Sequence, residues 1–186
     1  MSALPPSVCV FCGSRPGSDP AMLRVARDTG AMLARRGWRL VYGAGDIGLM
    51  GEVARATQAA GGRTFGVIPT HLMQGEVARR DLDSLVITET MHERKTVMFA
   101  NSQAIAVLPG GAGTLDEFFE VLTWAQIGLH GKPVVLLDAG GFWQPLLALI
   151  DHVIAEGFAG PGLRGLVRVA PDVAGLEAVL EVALAR

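Results

Sequence analysis

The segment over residues 104–126 constrains the fold more than any other part of the chain. It begins with five apolar residues, AIAVL, a length and composition that suit a strand buried on both faces. The next five residues, PGGAG, cannot continue a strand but allow a tight turn. Apolar residues then recur at intervals of three and four positions, which predicts a helix over 114–129. The segment therefore predicts a buried strand, a glycine turn and a helix in immediate succession.

The glycine turn is suited to binding an anion. It leads directly into a helix N-terminus, where unpaired N–H groups and the positive end of the helix dipole lie at one point. We therefore predict a phosphate-binding site at residues 109–114. Thr114 and Glu117 have the spacing of a capping box, which favours a structural role for Glu117 as a hydrogen-bond partner of the first helix amide. The alternative is a carboxylate at the mouth of the anion site, beside the reactive carbon of a substrate.

Strand-like and helix-like segments alternate along the whole chain. Strands are predicted over 7–12, 39–42, 63–68, 84–88, 104–108, 133–137 and 167–169, and helices over 20–36, 49–60, 91–102, 114–129, 143–156 and 173–185. This order predicts an α/β fold with a doubly wound, mostly parallel, Rossmann-like sheet flanked by helices. With 186 residues, 50% of them hydrophobic, the chain suits a single domain over 1–186. Ligands of such sheets bind outside the carboxyl ends of the strands.

Charge and hydropathy exclude several classes of partner. The chain has 16 Lys and Arg against 18 Asp and Glu, a net charge of −2, and no basic run, so no nucleic-acid partner is expected. No apolar run approaches the roughly 18 residues that would span a membrane. The N-terminus lacks the basic residues of a signal peptide, so we expect a cytoplasmic protein without a membrane partner.

Cys9 and Cys12 form a C-x-x-C pair inside the first predicted strand. A redox pair normally opens a helix, and a zinc site needs further Cys or His ligands at suitable spacing. Residues three apart on a strand point to opposite faces. We therefore predict that both cysteines are buried and reduced, and that the chain has no metal site.

Three further loops contain candidate ligand contacts. Ser14, after the first strand, could supply a hydroxyl and an N–H group, or belong only to a turn. Gly45 lies in a G-x-G-x-x-G pattern over 43–48, but the unit is the second in the chain and no acidic residue follows its next strand. We interpret that loop as an anion-cradling or tight-packing loop and do not expect NAD. Glu76 lies in a long irregular segment over 70–83, where contact with solvent is the default and a ligand contact the alternative.

Two cations lie near the start of the third predicted helix, which follows the fourth predicted strand. Thr90 and Glu93 have capping-box spacing, and Arg94 and Lys95 follow at once, although cations near a helix N-terminus oppose its dipole. An anionic ligand would explain this placement; exposure to solvent or pairing with a nearby glutamate would explain it equally well. If the fourth and fifth strands are neighbours, Arg94 and Glu117 converge on one cleft.

These residues resemble the LOG (Lonely Guy) family, the cytokinin riboside 5′-monophosphate phosphoribohydrolases. The resemblance lies in MHERK at 91–95, PGGAGTLDE at 109–117 and TWAQ at 123–126, with CGS at 12–14 and GLMG at 48–51, and it covers nearly the whole chain. Ala44 departs from the pattern, because the family usually has a third glycine after the tyrosine. Members were long mislabelled lysine decarboxylases. Such an enzyme would need a Schiff-base lysine for pyridoxal phosphate, and Lys95 and Lys132 are the only two lysines, so we reject that activity.

The resemblance implies hydrolysis of the N-glycosidic bond of an N6-modified AMP, or of AMP itself, to a free base and ribose 5-phosphate, without a cofactor. It makes Arg94 and Glu117 the catalytic pair. Bond cleavage builds oxocarbenium character on the ribose, which a carboxylate can stabilise, and an arginine can fix the ribose or phosphate. The resemblance further implies a homodimer and substrate contacts by Glu76, Lys95, Gly110, Gly111, Ala112, Gly113, Thr114 and Thr123.

A non-catalytic nucleotide carrier or sensor on the same fold is the alternative function. Such a protein would keep the glycine loops, but it would not need Arg94 and Glu117 together. Their joint presence therefore favours the enzyme.

Overall fold

The computed structural model describes residues 5–73, 79 and 81–185, which form a seven-stranded parallel sheet with helices on both faces. The strands are β1 Ser7–Phe11, β2 Arg39–Tyr42, β3 Thr64–Pro69, β4 Ser84–Thr88, β5 Ala104–Val107, β6 Val134–Leu137 and β7 Val167–Ala170. The helices are α1 Ala21–Arg35, α2 Gly48–Ala59, α3 Met91–Ala100, α4 Ala112–Gln126, α5 Gln144–Ala155, α6 Gly162–Gly165 and α7 Val173–Leu184. The fold class predicted from the sequence is confirmed. The short α6 and two 3₁₀ turns, Thr70–Leu72 and Ala139–Gly141, were not predicted.

The strand order places the start of the chain at the centre of the sheet. The order is β4-β3-β2-β1-β5-β6-β7, so the chain builds outward from β1 to β4 and then returns through α3 to β5. The fourth and fifth strands are therefore not neighbours, and that premise of the sequence analysis is wrong. The loops after β1 and β5 diverge at the point where the order reverses, which is where doubly wound sheets bind their ligands.

Two apolar clusters lie on the two faces of the sheet. One contains buried side chains of α1, α2 and α7, and the other contains those of α3, α4 and α5. Successive residues of β1 alternate between them, so Cys9 packs in the second cluster and Cys12 in the first. Both cysteines are buried and free of disulfides, as predicted. None of the described helices is both long and apolar enough to cross a membrane.

The two predicted capping boxes have different outcomes. At α3, the Thr90 hydroxyl accepts a hydrogen bond from the Glu93 amide at 3.1 Å, and the Glu93 carboxylate accepts one from the Thr90 amide at 3.2 Å. At α4 the predicted box is wrong, because the helix begins at Ala112 with Gly111 as its N-cap. Thr114 lies inside the helix, where its side chain is buried rather than capping.

Loss of the α3 cap is expected to destabilise the fold modestly. Thr90→Ala removes the acceptor of the Glu93 amide and should lower the free energy of unfolding by about 1 kcal/mol. In a chain of this size, that corresponds to a fall in Tm of about 2–4 °C in calorimetry. Thr96→Ala is the control, because the Thr96 hydroxyl is exposed and donates only to a carbonyl of its own helix. An equal loss from both variants would contradict a capping role.

Candidate active site

A cavity of about 640 Å³ opens at the carboxyl ends of β1 and β5. Its volume is in the range of small-molecule sites in proteins. The loop after β1, the turn before α4 and the first turns of α2, α3 and α4 form most of its wall. The sequence-predicted site residues that line it are Ser14, Arg94, Gly110, Gly111, Ala112, Gly113, Thr114 and Glu117. The reversal of strand order therefore coincides with a cavity that contains most of the predicted site.

The turn from Pro109 into α4 forms one wall of the cavity. Gly111, the N-cap of the helix that follows, has extended backbone angles and no side chain with which to cap it. The first N–H groups of a helix have no partner within it, so these amides face the cavity at the positive end of the helix dipole. The Gly13 amide donates to the Pro109 carbonyl at 3.1 Å, which ties this turn to the loop after β1. This geometry is suited to an anion, and the binding of a phosphate here stays a prediction.

Arg15 was missed by the sequence reasoning. It lies next to Ser14 in the loop after β1, lines the cavity and is exposed at its rim. Its positive charge adds to the attraction of an anion for the helix N-terminus. Arg15 lies in a turn with proline and glycine, where no periodic pattern shows which way a side chain points. From the sequence alone it therefore could not be distinguished from an arginine exposed to solvent.

Arg94 is held deep in the structure by backbone carbonyls. Its side chain is buried, with Nε donating to the Val67 carbonyl at 3.1 Å and Nη2 donating to the Gly43 carbonyl at 2.6 Å. These carbonyls belong to β3 and to the loop after β2. Arg94 reaches them because α3 crosses the sheet on its way from the edge strand β4 back to β5. The solvent-facing alternative for Arg94 is therefore wrong.

Glu117 lies in the second turn of α4 and lines the same cavity as Arg94. The two side chains line one cavity although β4 and β5 are not neighbours, because α3 packs against β3 and its first turns direct Arg94 to the loop after β2. Cys12, at the end of β1, responds to both charges. Burial raises the pKa of its thiol first, the Glu117 carboxylate raises it further, and the Arg94 guanidinium partly opposes this.

Lys95 does not line the cavity. Its ammonium lies 3.0 Å from the Asp116 carboxylate and also forms an ion pair with Glu120, so it joins α3 to α4. Burial by itself would lower the pKa of Lys95, but hydrogen bonds to Glu120 and Asp116 raise it above its ordinary value. Lys95 therefore remains a cation at neutral pH.

The other predicted contacts lie away from the cavity wall or outside the described residues. The Thr123 hydroxyl is exposed and donates to the Phe119 carbonyl at 2.7 Å, and Gly45 is buried beside β2. Glu76 lies outside the described residues. Roles in substrate binding for Lys95, Thr123, Gly45 and Glu76 remain predictions.

The loop with the G-x-G-x-x-G pattern packs against protein backbone. The amides of Leu49 and Met50, at the start of α2, donate to the Gly13 carbonyl at 3.0 and 3.3 Å. Gly48 has a φ of +58°, and a Cβ there would lie 2.3 Å from the carbonyl carbon of Ser14. The N-terminus of α2 is thus satisfied by the loop after β1, which fits the tight-packing interpretation of this loop.

Ala44 has left-handed backbone angles, with a φ of +57°. It is the one non-glycine with a positive φ in the part of the chain that the structure describes. Glycine adopts this conformation without steric cost, whereas other residues pay roughly 1–2 kcal/mol. This explains physically why a third glycine would suit this position.

The apolar part of the cavity wall was largely missed. It consists of Met22, Leu49, Met50, Leu72, Met91 and Phe142. Most of these residues belong to helices. Periodicity predicts which face of a helix is apolar, but not which residues of that face pack in the core and which line a cavity. Phe142 follows a turn in which Gly140 and Gly141 have positive φ, and the turn is held by a hydrogen bond of 2.6 Å from the Trp143 amide to buried Asp138. The glycine pair after β6 is the feature of the sequence that could have predicted a turn there, with Phe142 beside the cavity.

Comparison with known proteins identifies relatives over nearly the whole chain. Residues 50–180 match the family model described as "Possible lysine decarboxylase". A cytokinin riboside 5′-monophosphate phosphoribohydrolase of Rhodococcoides fascians is 44% identical over 177 residues, covering 95% of this chain and 89% of that protein. One of Arabidopsis thaliana is 42% identical over 174 residues, covering 94% and 80%. The molybdenum cofactor carrier protein of Chlamydomonas reinhardtii has a similar structure, with a TM-score of 0.76 and 27% identity over 98% of this chain and 99% of that one.

The decarboxylase description does not fit the positions of the two lysines. Lys95 is engaged by acidic residues outside the cavity wall, as described above. Lys132 precedes β6 at the opposite end of the sheet, where its ammonium donates to the Phe99 carbonyl at 2.6 Å. Neither amine is placed to form a Schiff base with a cofactor bound in the cavity.

The cysteines are expected to react slowly with thiol reagents. Burial raises the pKa of both thiols, so the reactive thiolate is scarce at pH 8. Labelling of the native protein with an aromatic disulfide should be on the order of 100-fold slower than labelling of protein unfolded in guanidinium chloride. Rapid labelling of Cys12, identified by its loss in Cys12→Ala, would contradict the burial at the end of β1.

Proposed function

Since the chain belongs to the LOG family of cytokinin riboside 5′-monophosphate phosphoribohydrolases, we propose that it cleaves the N-glycosidic bond of these nucleotides. The products are the free N6-modified adenine and ribose 5-phosphate. AMP is proposed as a second substrate of the same site. The observation that carries the proposal is that Arg94 and Glu117 line one cavity together with a helix N-terminus suited to a phosphate.

The 5′-phosphate is proposed to bind at the turn from Gly110 to Thr114. Backbone N–H groups at the start of α4 would donate to its oxygens, and the helix dipole would favour its charge. Ser14 and Arg15 face the same cavity from the loop after β1. This arrangement would fix one end of the substrate and direct the sugar along α4.

Glu117 is proposed to act at the anomeric carbon. It lies five residues beyond the first residue of α4, Ala112, which is about 7.5 Å along the helix axis, and it lines the same cavity. A phosphate at the helix N-terminus would therefore place C1′ beside this carboxylate. Negative charge there would stabilise the developing oxocarbenium ion, and the same group could orient and deprotonate the attacking water.

Arg94 is proposed to hold the ribose or phosphate against Glu117. Two backbone carbonyls fix the position of its guanidinium. Nη1, which lies 3.7 Å from the Met91 sulfur, belongs to the side of the guanidinium that is not bound to these carbonyls. A cation held rigidly in this way contributes by orienting the reacting atoms.

The alternative is a carrier or sensor of phosphorylated ligands. The similar structure from Chlamydomonas reinhardtii is named a molybdenum cofactor carrier protein, so a carrier function occurs on this fold. A carrier needs the cavity and its phosphate site but no turnover. Product formation therefore separates the two functions.

The proposed reaction is tested by chromatography of the products from isopentenyladenosine 5′-monophosphate and from AMP. The apolar wall of the cavity can bury an N6-alkyl group, so the isopentenyl nucleotide should have a kcat/KM at least about tenfold higher than AMP. Glu117→Gln should lower turnover by about 10²–10⁴-fold while nucleotide still binds.

The control for Glu117→Gln is Asp116→Asn, because Asp116 neighbours it on α4, does not line the cavity, and leaves the less exposed Lys95–Glu120 ion pair in place. This control should keep nearly normal turnover. Since glutamine keeps the size of glutamate and much of its hydrogen-bonding capacity, Glu117→Gln should shift the free energy of unfolding by less than about 1 kcal/mol. A Glu117→Gln protein that melts earlier yet hydrolyses normally would contradict the catalytic role. Binding without release of base from either substrate would favour the carrier.

We also propose a homodimer that forms through the second half of α4 and the turn that follows it. Phe119, Ile127 and Leu129 are large apolar residues there with exposed fractions of 39%, 64% and 68%. A second copy of the chain would cover them and would lie beside the helix that carries Glu117. A cytoplasmic location is proposed with it, because nucleoside monophosphates and reduced cysteines belong to that compartment.

The dimer proposal predicts that Leu129→Lys gives a monomer. A charge in the centre of an apolar interface is not compensated, so sedimentation of the variant should show half the mass of the wild type. The Tm of the wild type should depend on protein concentration, whereas that of the variant should be lower and independent of concentration. Phe158→Lys is the control, because Phe158 is 84% exposed but follows α5. A Leu129→Lys protein with an unchanged mass would contradict this interface.

A further inference from the structure

We propose that Gly43 is a positioning residue whose missing side chain forms the slot for the Arg94 guanidinium. A Cβ built on Gly43 would lie 2.0 Å from Nη2 of Arg94, 2.9 Å from Cζ and 3.3 Å from Nε. Real Cβ atoms essentially never approach other heavy atoms below 3.0 Å. A side chain at position 43 therefore cannot coexist with Arg94 in its present place. The catalytic consequence of this inference rests on the proposed function; the steric part does not.

The guanidinium cannot move away from a new methyl group without cost. Nη2 donates to the carbonyl of Gly43 itself at 2.6 Å, so the slot and the hydrogen bond share one residue. Nε is fixed on the other side by the Val67 carbonyl at 3.1 Å. A shift that relieves the collision would lengthen both bonds and leave buried carbonyls and a buried charge poorly compensated.

Glycine is required at position 43 because the Arg94 guanidinium occupies the space that a Cβ would fill, and not because of the backbone conformation. Gly43 is not among the described residues with a positive φ, so alanine could adopt its backbone angles. Gly48, in the same loop, differs because its φ is +58°. The first glycine of the G-x-G-x-x-G pattern thus serves an arginine from another element, rather than the close approach of a phosphate.

The slot sets the depth at which Arg94 enters the cavity. A displacement of about 1 Å in a group that orients the substrate can cost about 10²-fold in rate. We therefore expect Gly43→Ala to lower kcat about 100-fold. Because a collision with buried charge also weakens the fold, its Tm should fall by about 5 °C.

The deciding experiment is a double-mutant cycle of Gly43→Ala with Arg94→Ala. If the methyl group acts only through the guanidinium, its effect must vanish when the guanidinium is absent. Gly43→Ala should then change the Tm by less than about 1 °C in the Arg94→Ala background. Residual kcat should likewise change by less than about twofold between Arg94→Ala and the double variant.

Two other glycine substitutions serve as controls. Gly131→Ala places a methyl group in open space outside the cavity and should change neither Tm nor kcat. A Cβ on Gly30 would lie 2.3 Å from the Val53 carbonyl, between α1 and α2. Gly30→Ala should therefore lower the Tm by the same amount with or without Arg94 and leave the kcat of the folded enzyme unchanged.

Each outcome of the cycle decides the proposal. An equal fall in Tm in both backgrounds would overturn it, because Gly43 would then serve backbone packing alone. Coupling in Tm with an unchanged kcat would overturn the positioning role. Coupling in Tm in a protein that binds nucleotide without hydrolysing it would support the slot and refute the proposed function. Coupling in both quantities supports the full proposal.

Discussion

The parallel pairing of β1 with β5 is the constraint on which the site depends. Phe11 lies opposite Val107 in the register, so the two strands end together and their loops begin side by side. The loop after β1 then serves both neighbours. The Gly13 amide bonds to the turn before α4, and the Gly13 carbonyl accepts from the first amides of α2. One residue thus orients two helix N-termini, and leaves that of α4 open to a ligand.

The two charged groups reach this point by different routes. Glu117 comes from the helix that directly follows the central strand β5, so its position follows from local structure. Arg94 comes from the crossover helix α3, whose first turns lead from the edge strand β4 to a position against β3. Backbone carbonyls receive it at the end of that path, and these are fixed by the sheet itself. Arg94 is therefore anchored by the backbone of β3 and of the loop after β2.

The sequence was sufficient where local physics decides the structure. Apolar runs bounded by glycine and proline located every strand to within one residue, and the PGGAGT turn does line the cavity. The sequence was insufficient where the position of a helix start or a side chain depends on the three-dimensional structure. Thr114 and Glu117 have the spacing of a cap, but the extended backbone of Gly111 starts α4 earlier. Arg94 and Lys95 are indistinguishable as neighbouring cations until the helix separates them by about 100° and turns one to the cavity and one to α4.

Because Lys95 points to α4, its ion pairs determine how the spacing between α3 and α4 responds to salt. They join α3 to α4, and the side chains of Lys95 and Glu120 are only 12% and 14% exposed. Salt screens partly buried pairs far less than exposed ones, whereas an incoming phosphate is attracted through open solvent. The spacing between the helices that carry Arg94 and Glu117 should thus be nearly independent of ionic strength, while the capture of nucleotide should not be. The enzyme would lose affinity in concentrated salt and keep the geometry of its reacting groups.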